Sequence, residues 1–336
     1  MLHIDPKQLE LARLELRAMV RNYLFSPDYD INLIDFGFPR RTNPTSGQRY
    51  WDVERVSLRF HVAKKYTLEQ LDTLQLKRLP RKIGQFETDV IEAEYTVPLP
   101  TNIPYGPRAT RRDKLCGGLG ISAYRDMYGT LGGIVRDRQT GALMILSNWH
   151  VLYATRNARA GLPTYQPILR SAGPQSSVVA RLAGERLSAP GATTFPLDVA
   201  VARLVDQQQW ENHQLGLGKV TGVAQARLGM KLVKSGLMSG TTYGVVSGVE
   251  GFIRMAYEGN WKRMIERVVT ISRWPLDNSF TLVSQGGDSG SWWLDEATNK
   301  AIALHFAGLR DGTRAQAMDM QYVLEAMGVE IADTGA

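Results

Sequence analysis

Apolar spacing divides the chain into two textures. Residues 5–24 carry Leu, Ala, Met and Val at three- and four-residue intervals, which predicts an amphipathic helix with Asp5 as its cap and Pro6 in its first turn. Two runs of strand character follow, DINLIDFGFP (30–39) and VSLRFHVAKK (56–65). TLEQLDTL (67–74) then reads as a short helix and TDVIEAEYTV (88–97) as a further strand. This is the pattern of a small α+β domain. The proline-rich, basic stretch PLPTNIPYGPRATRRDK marks a boundary within residues 98–115, and we divide the chain into 1–110 and 111–336. Beyond it, short β-like runs alternate with glycine-bearing turns: GTLGGIVRD, ALMILSNWHVL, VVARLAG, LDVAVARLV, KLVKSGLMSG, TYGVVSGV, RVVTIS, FTLVS, GSWWLD and AIALHFAG. Many short strands at this spacing predict a mainly β barrel or sandwich, and AQAMDMQYVLEAMGV (315–329) predicts a terminal helix against it.

Composition narrows the class. With 43% hydrophobic and 22% charged residues over 336 positions, the chain has the balance of a soluble globular protein that builds a core without staples. Its first twenty residues contain no uninterrupted apolar run, so neither a signal peptide nor a membrane span is expected, and a cytoplasmic location is. The sole cysteine, Cys116, excludes an internal disulfide and reads as a buried or linker thiol. The net charge of +7 raises the question of an acidic partner. The densest basic stretches, LKRLPRKIG and RATRRDK, lack interleaved aromatics, so they read as solvated or linker surface and nucleic-acid binding ranks last. The histidines lack ligand spacing and no phosphate-binding fingerprint is present, so no metal and no cofactor are expected.

The candidate chemistry lies in SQGGDSGSWW (284–293). Glycines around one hydroxyl suit either a tight turn or a reaction centre in which unobstructed backbone NH groups face an oxyanion. A serine nucleophile needs a base and a carboxylate to orient it. His150 in LSNWHVL follows an apolar run, Asp198 in FPLDVAVARL opens another, and Ser289 lies ninety-one positions later. The order His, Asp, Ser is one of the known chain orders for such a triad.

LSNWHV, LDVAVARL and GGDSGS resemble the three catalytic segments of trypsin-like serine peptidases of the chymotrypsin fold, over residues 116–330. GTLGGIVRDRQTGALMILSNWHVL, YQPILRSAG and KLVKSGLMSGTTYG further resemble a cytosolic subgroup found in bacteria and in plant narrow-leaf proteins, in which a small α+β domain precedes the peptidase. The resemblance implies two antiparallel β-barrels. It makes Ser289 the nucleophile, His150 the general base and then acid, and Asp198 the orienting carboxylate. The backbone NH groups of Gly287 and Ser289 form the oxyanion hole, with Gly286 and Gly287 allowing the turn. In secreted relatives the residue matching Asp288 pairs with an amino terminus freed by cleavage. No activation sequence is evident here, so Asp288 is expected either to meet an internal basic group or hydrogen bond, or to point elsewhere until a partner arrives. Trp292 and Trp293 are expected to replace disulfide support by packing.

The resemblance places the primary specificity pocket at Val283, Ser284 and His305. Val283 stands where trypsin-type enzymes carry an acid, which disfavours cleavage after Lys or Arg, since a buried cation would lack a counter-charge. Ser284 with His305 resembles the pairing of glutamyl endopeptidases and viral chymotrypsin-like proteases, and implies cleavage after Glu or Gln; the alternative is that His305 is a core histidine. The expected partners are a protein or peptide substrate and, by resemblance, an effector cut in bacterial defence. A scaffold or binding role for the protease fold stays open, as do recruitment, homo-oligomer assembly or active-site cover by the N-terminal domain.

Overall fold

The computed structural model describes residues 4–97, 106–124, 126–155, 157–169, 177–183, 197–257, 262–273 and 281–333. Helix Pro6–Met19 starts as expected, with the Asp5 carboxylate accepting from Lys7 N at 2.9 Å, and runs into a π-helical turn, Val20–Leu24. Ala12, Leu16 and Met19 form its buried stripe and join Ile34, Phe36 and Phe60 of the sheet beneath. The short helix Leu68–Thr73 opens on a reciprocal capping box between Thr67 and Gln70.

Two β bodies dominate the molecule. In the first, one sheet has the strand order Tyr128–Thr130, Gly120–Ser122, Pro163–Gln166, Ser177–Leu182, Ala200–Leu204, Leu143–Ser147, Gly133–Asp137 and Val329–Ile331. Leu119, Ile121, Ile134, Ile145, Ala200 and Ala202 fill its interior. In the second, Lys231–Gly236 pairs with Trp292–Asp295, and the sheet continues through Ala301–Leu309, Arg314–Asp319, Lys262–Ser272 and Gly240–Ala256. The last of these pairs back onto Lys231–Gly236 and closes a barrel. Closure leaves no free edge in the ring. A shared apolar cluster joins Leu146, Val199 and Val201 of the first body to Val268, Leu304 and Phe306 of the second. Trp292, 1% exposed, lies flat against Gly132 and Gly133; a Cβ on Gly133 would stand 2.6 Å from its ring. Both tryptophans are buried, as anticipated for a body without disulfides.

Strand Gly240–Ala256 is seventeen residues long and serves two neighbours along one edge. Gly240 to Val245 pair with Lys231–Gly236, while Gly248 to Ile253 pair with Ile31–Gly37. Ile31–Gly37 in turn pairs with Ser57–Val62, which runs parallel to Phe86–Glu92. The N-terminal strands thus extend the sheet of the second barrel. A buried polar network crosses the seam. Arg59 Nε donates to Asp35 Oδ1 at 2.6 Å, Arg59 Nη2 to Asp35 Oδ2, and Thr270 Oγ1 to Asp35 Oδ2 at 2.7 Å. His61 lies 3.1 Å from Asp35 and 2.8 Å from the Tyr95 hydroxyl, which accepts from Arg314 at 3.0 Å. Burial pushes His61 down to about 4, keeping it a neutral member of the network.

Three expectations change. The terminal helix is only Met320–Met327: residues Arg314–Asp319 form a strand against Lys262–Ser272, and the Asp319 side chain caps the helix by accepting from Tyr322 N. The described part of FTLVS makes no ladder. Val283 N and Ser284 N both donate to Gly312 O, and Thr242 Oγ1 takes the Val283 carbonyl, so these groups are satisfied by a loop and a side chain. Within RATRRDK, Arg108 is not a solvated charge, because it turns inward to Leu215 O at 3.1 Å and Ser235 Oγ at 2.9 Å. Cys116 is buried and free, and burial pushes its thiol up to about 11, the condition of an inert structural cysteine.

Candidate active site

The pattern ALMILSNWHVL yields strand Leu143–Ser147 and one helical turn, Trp149–Leu152, which holds His150 at the end of the first β body. Asp198 stands two residues before the neighbouring strand Ala200–Leu204, which pairs antiparallel with Leu143–Ser147. That adjacency brings residues 48 apart in sequence into contact: His150 Nδ1 stands 2.6 Å from Asp198 Oδ2, and His150 N donates to Oδ1 at 3.2 Å. Asn148 Nδ2 donates to the Asp198 carbonyl at 2.8 Å and fixes the backbone. The carboxylate is fully buried, the imidazole 8% exposed. Burial alone would raise the Asp198 carboxyl; attraction from His150, its hydrogen bond, the Arg263 cation and the Tyr257 hydroxyl outweigh it and hold the group below its ordinary value. An ionised carboxylate on Nδ1 selects the tautomer whose Nε2 carries a lone pair.

Ser289 comes from the second body, on the turn before strand Trp292–Asp295. Left-handed backbone is required at two glycines here, Gly287 (φ +100°) and Gly290 (φ +95°), whereas Gly286, expected to share the turn, does not take a positive φ. At Gly290 a Cβ would stand 2.1 Å from Ser147 Oγ and 2.2 Å from Thr130 O, so the turn is wedged against the first body. Three carbonyls of the turn are occupied. Thr130 Oγ1 donates to Gly287 O at 2.9 Å, Thr130 N to Ser289 O at 2.7 Å, and Ser291 Oγ to Asp288 O at 2.7 Å. Among the described residues the NH groups of Gly287 and Ser289 donate to no backbone acceptor, which leaves them available to an anion. The Ser289 hydroxyl, 3% exposed, donates to Phe306 O at 3.5 Å, the outer limit for such a bond.

Asp288 takes the first of its two anticipated courses. Its carboxylate meets the Lys234 ammonium at 2.8 Å and also accepts from Ser239 Oγ at 2.5 Å, Ser239 N at 3.0 Å, Met238 N at 3.1 Å and Gln285 N at 3.0 Å. Both charged side chains are fully buried. Burial opposes ionisation of Asp288, but Lys234 and these donors prevail and hold it below its ordinary value.

Of the three residues placed at the specificity pocket, Val283 points into the core with Phe36, Val269 and Trp293. Ser284 is 2% exposed and its hydroxyl lies beside Gly308, where a Cβ would come within 3.0 Å. His305 is fully buried beside Trp293, with ring centroids 6.3 Å apart, and among the described residues neither of its ring nitrogens has a hydrogen-bond partner. Burial pushes it down to about 3, so it is neutral. Two residues at the site carried no sequence signal. Tyr257 OH donates to Asp198 Oδ2 at 2.8 Å, and Lys234 sits within an otherwise ordinary strand whose residues are nearly all buried. The other described histidines lie elsewhere, His61 in the seam network and His213 on an exposed strand position.

No protein-family model matches the chain, and no curated protein matches it. Solved structures similar to it include Thermobifida fusca protease A, at 16% identity and TM-score 0.47, covering 66% of this chain and 99% of that one. A glutamic-acid-specific serine protease matches at 20% identity and TM-score 0.46, covering 65% and 100%. A Nocardiopsis protease matches at 16% identity and TM-score 0.46, covering 65% and 100%.

Proposed function

We propose that the protein is a serine endopeptidase acting through His150, Asp198 and Ser289. The observation that carries this reading is the buried, ionised Asp198 held 2.6 Å from His150 Nδ1, together with a glycine turn in which, among the described residues, the NH groups of Gly287 and Ser289 donate to no backbone acceptor. In this reading Ser289 Oγ, released from its weak contact with Phe306, attacks the peptide carbonyl carbon while His150 Nε2 takes the hydroxyl proton. The tetrahedral oxyanion is received by the NH groups of Gly287 and Ser289. Collapse breaks the C–N bond, and the leaving amine takes the proton from His150, giving an acyl-enzyme. Water, deprotonated by the same imidazole, then hydrolyses the ester and returns the proton to Ser289.

His305 supports cleavage after Glu or Gln. A fully buried imidazole with no partner on either nitrogen among the described residues is costly unless something supplies one, and a side-chain amide or carboxyl oxygen entering beside Ser284 would do so. Position 283 supplies no acid for a cationic substrate. An effector protein of bacterial defence as the target is the part of this reading that rests on the sequence resemblance alone.

Treatment of the wild type and of Ser289→Ala with a fluorophosphonate probe, followed by peptide mapping, tests the reading. An adduct on Ser289 that the variant lacks supports a peptidase. Its absence from the wild type, together with full biological activity of Ser289→Ala, would establish the scaffold alternative instead.

A further inference from the structure

We infer that Tyr257 is a positioning residue for Asp198, delivered by the hairpin formed by Gly240–Ala256 and Lys262–Ser272. Tyr257 is the first residue beyond the long strand. Its hydroxyl donates to Asp198 Oδ2 at 2.8 Å, the same oxygen that faces His150 Nδ1 at 2.6 Å. Oδ1 is held by His150 N, so the carboxylate is gripped at both oxygens and cannot rotate away from the imidazole without breaking a bond.

The opposite strand of the hairpin contributes Arg263. Its Nη2 donates to Leu197 O, immediately before Asp198, at 2.7 Å, and its guanidinium lies 5.5 Å from the ring centroids of both Tyr257 and Trp149. One strand therefore grips the carboxylate and the other the backbone that carries it. The Tyr257 ring also meets Trp149 edge-on at 6.4 Å and His150 at 6.3 Å, which fixes the direction of the hydroxyl. Burial, reinforced by the negative charge of Asp198, raises the Tyr257 phenol well above its ordinary value, so the hydroxyl remains a donor throughout the neutral range. Because Gly248 to Ile253 of the same strand pair with Ile31–Gly37, the hairpin is also anchored to the N-terminal part of the chain.

The catalytic meaning of this contact rests on the peptidase reading, but the contact can be tested without turnover. The charged and titratable groups around Asp198 are His150, Tyr257 and Arg263, with His305 acting on His150 at longer range. Tyr257→Phe removes the hydroxyl and keeps the ring packing. Deleting a donor from Asp198 Oδ2 strengthens the remaining bond from His150 Nδ1 to that oxygen, so the NMR resonance of the His150 Nδ1 proton should move downfield. With a peptide substrate, kcat should fall about tenfold at unchanged KM, because the hydroxyl touches the carboxylate and not the substrate. An unchanged Nδ1 proton resonance overturns the inference whatever the activity, since a purely structural tyrosine would leave the His150–Asp198 bond unmoved. Failure of the wild type to label at Ser289 would overturn the peptidase reading instead, and the His150 Nδ1 proton resonance would still decide the role of Tyr257.

Discussion

Replacing Lys234 by Met puts a number on the ion pair beneath the Ser289 turn. The two side chains are fully buried and 2.8 Å apart, so Lys234→Met leaves a carboxylate in the interior without its counter-ion. Breaking a buried pair in this way costs about 3–5 kcal/mol. Asp288 retains four donors, Ser239 Oγ and the NH groups of Ser239, Met238 and Gln285, which argues for the lower end, about 3 kcal/mol. With an unfolding entropy of about 2.1 cal/mol/K per residue over 336 residues, that is a loss of about 4 °C in Tm. Gln285 and Asp288 both belong to the turn that carries Ser289, so fluorophosphonate labelling of Ser289 should slow at least tenfold at pH 7. The sign with pH follows from the carboxyl. In the wild type Asp288 is held below its ordinary value, and its contribution is present above about pH 4 and lost as the pH falls through the folded-state value. In the variant the unpaired carboxylate is penalised most at neutral pH, so the gap in Tm should narrow on acidification. Differential scanning calorimetry from pH 4 to 8 measures this. An unchanged Tm and an unchanged labelling rate would refute the argument and show that the neutral donors alone hold the turn.

Four further outcomes are expected. Gly290→Ala, which forces a Cβ to 2.1 Å from Ser147 Oγ at a positive φ, should cost about 3–5 kcal/mol by thermal melting and abolish labelling. Ser289→Ala should lose the adduct while keeping the wild-type Tm within about 1 °C, since the hydroxyl makes only a 3.5 Å contact. His305→Leu should lower the ratio of Glu or Gln to apolar cleavage in a peptide library at least tenfold; an unchanged ratio would make His305 a core residue. Stability should be flat between about pH 7 and 8 and decline between pH 6.5 and 4. His61 has an ordinary value of 6.5 and a folded value of about 4, so the unfolded chain binds more protons across that interval. A steeper loss should follow below pH 4 as Asp35, Asp198 and Asp288, all held below their ordinary values, are protonated.

How much of this was legible follows from the range of each interaction. The strand before His150 and the helix opening at Asp5 are written in local apolar spacing and a cap, and both appear where the pattern puts them. The contact of His150 with Asp198 is legible only from the His, Asp, Ser chain order and the resemblance, because no local rule relates residues 48 apart. FTLVS has strand composition, yet the groups that satisfy Val283 and Ser284 sit on Gly312 and Thr242, far along the chain. AQAMDMQYVLEAMGV reads as one helix because Ala and Met favour helix, but pairing with Lys262–Ser272 takes its first five residues into a strand. Lys234 was hidden for a different reason. Both faces of Lys231–Gly236 are buried, so alternation cannot mark an inward charge. Tyr257 in AYEG belongs to no motif, and only the hairpin brings it to Asp198.

The continuity of the sheet through Gly240–Ala256 bears on how the protein can be handled and how it can be switched. A pro-region that is shed on maturation must be able to leave without exposing a strand edge or a bare charge. Here departure of the N-terminal strands would uncover the backbone of Gly248 to Ile253 and strip Thr270 and Arg314 of their partners Asp35 and Tyr95. Supplied as two polypeptides divided between Val97 and Gly106, the chain should therefore co-purify as a single species, and the C-terminal piece expressed alone should aggregate.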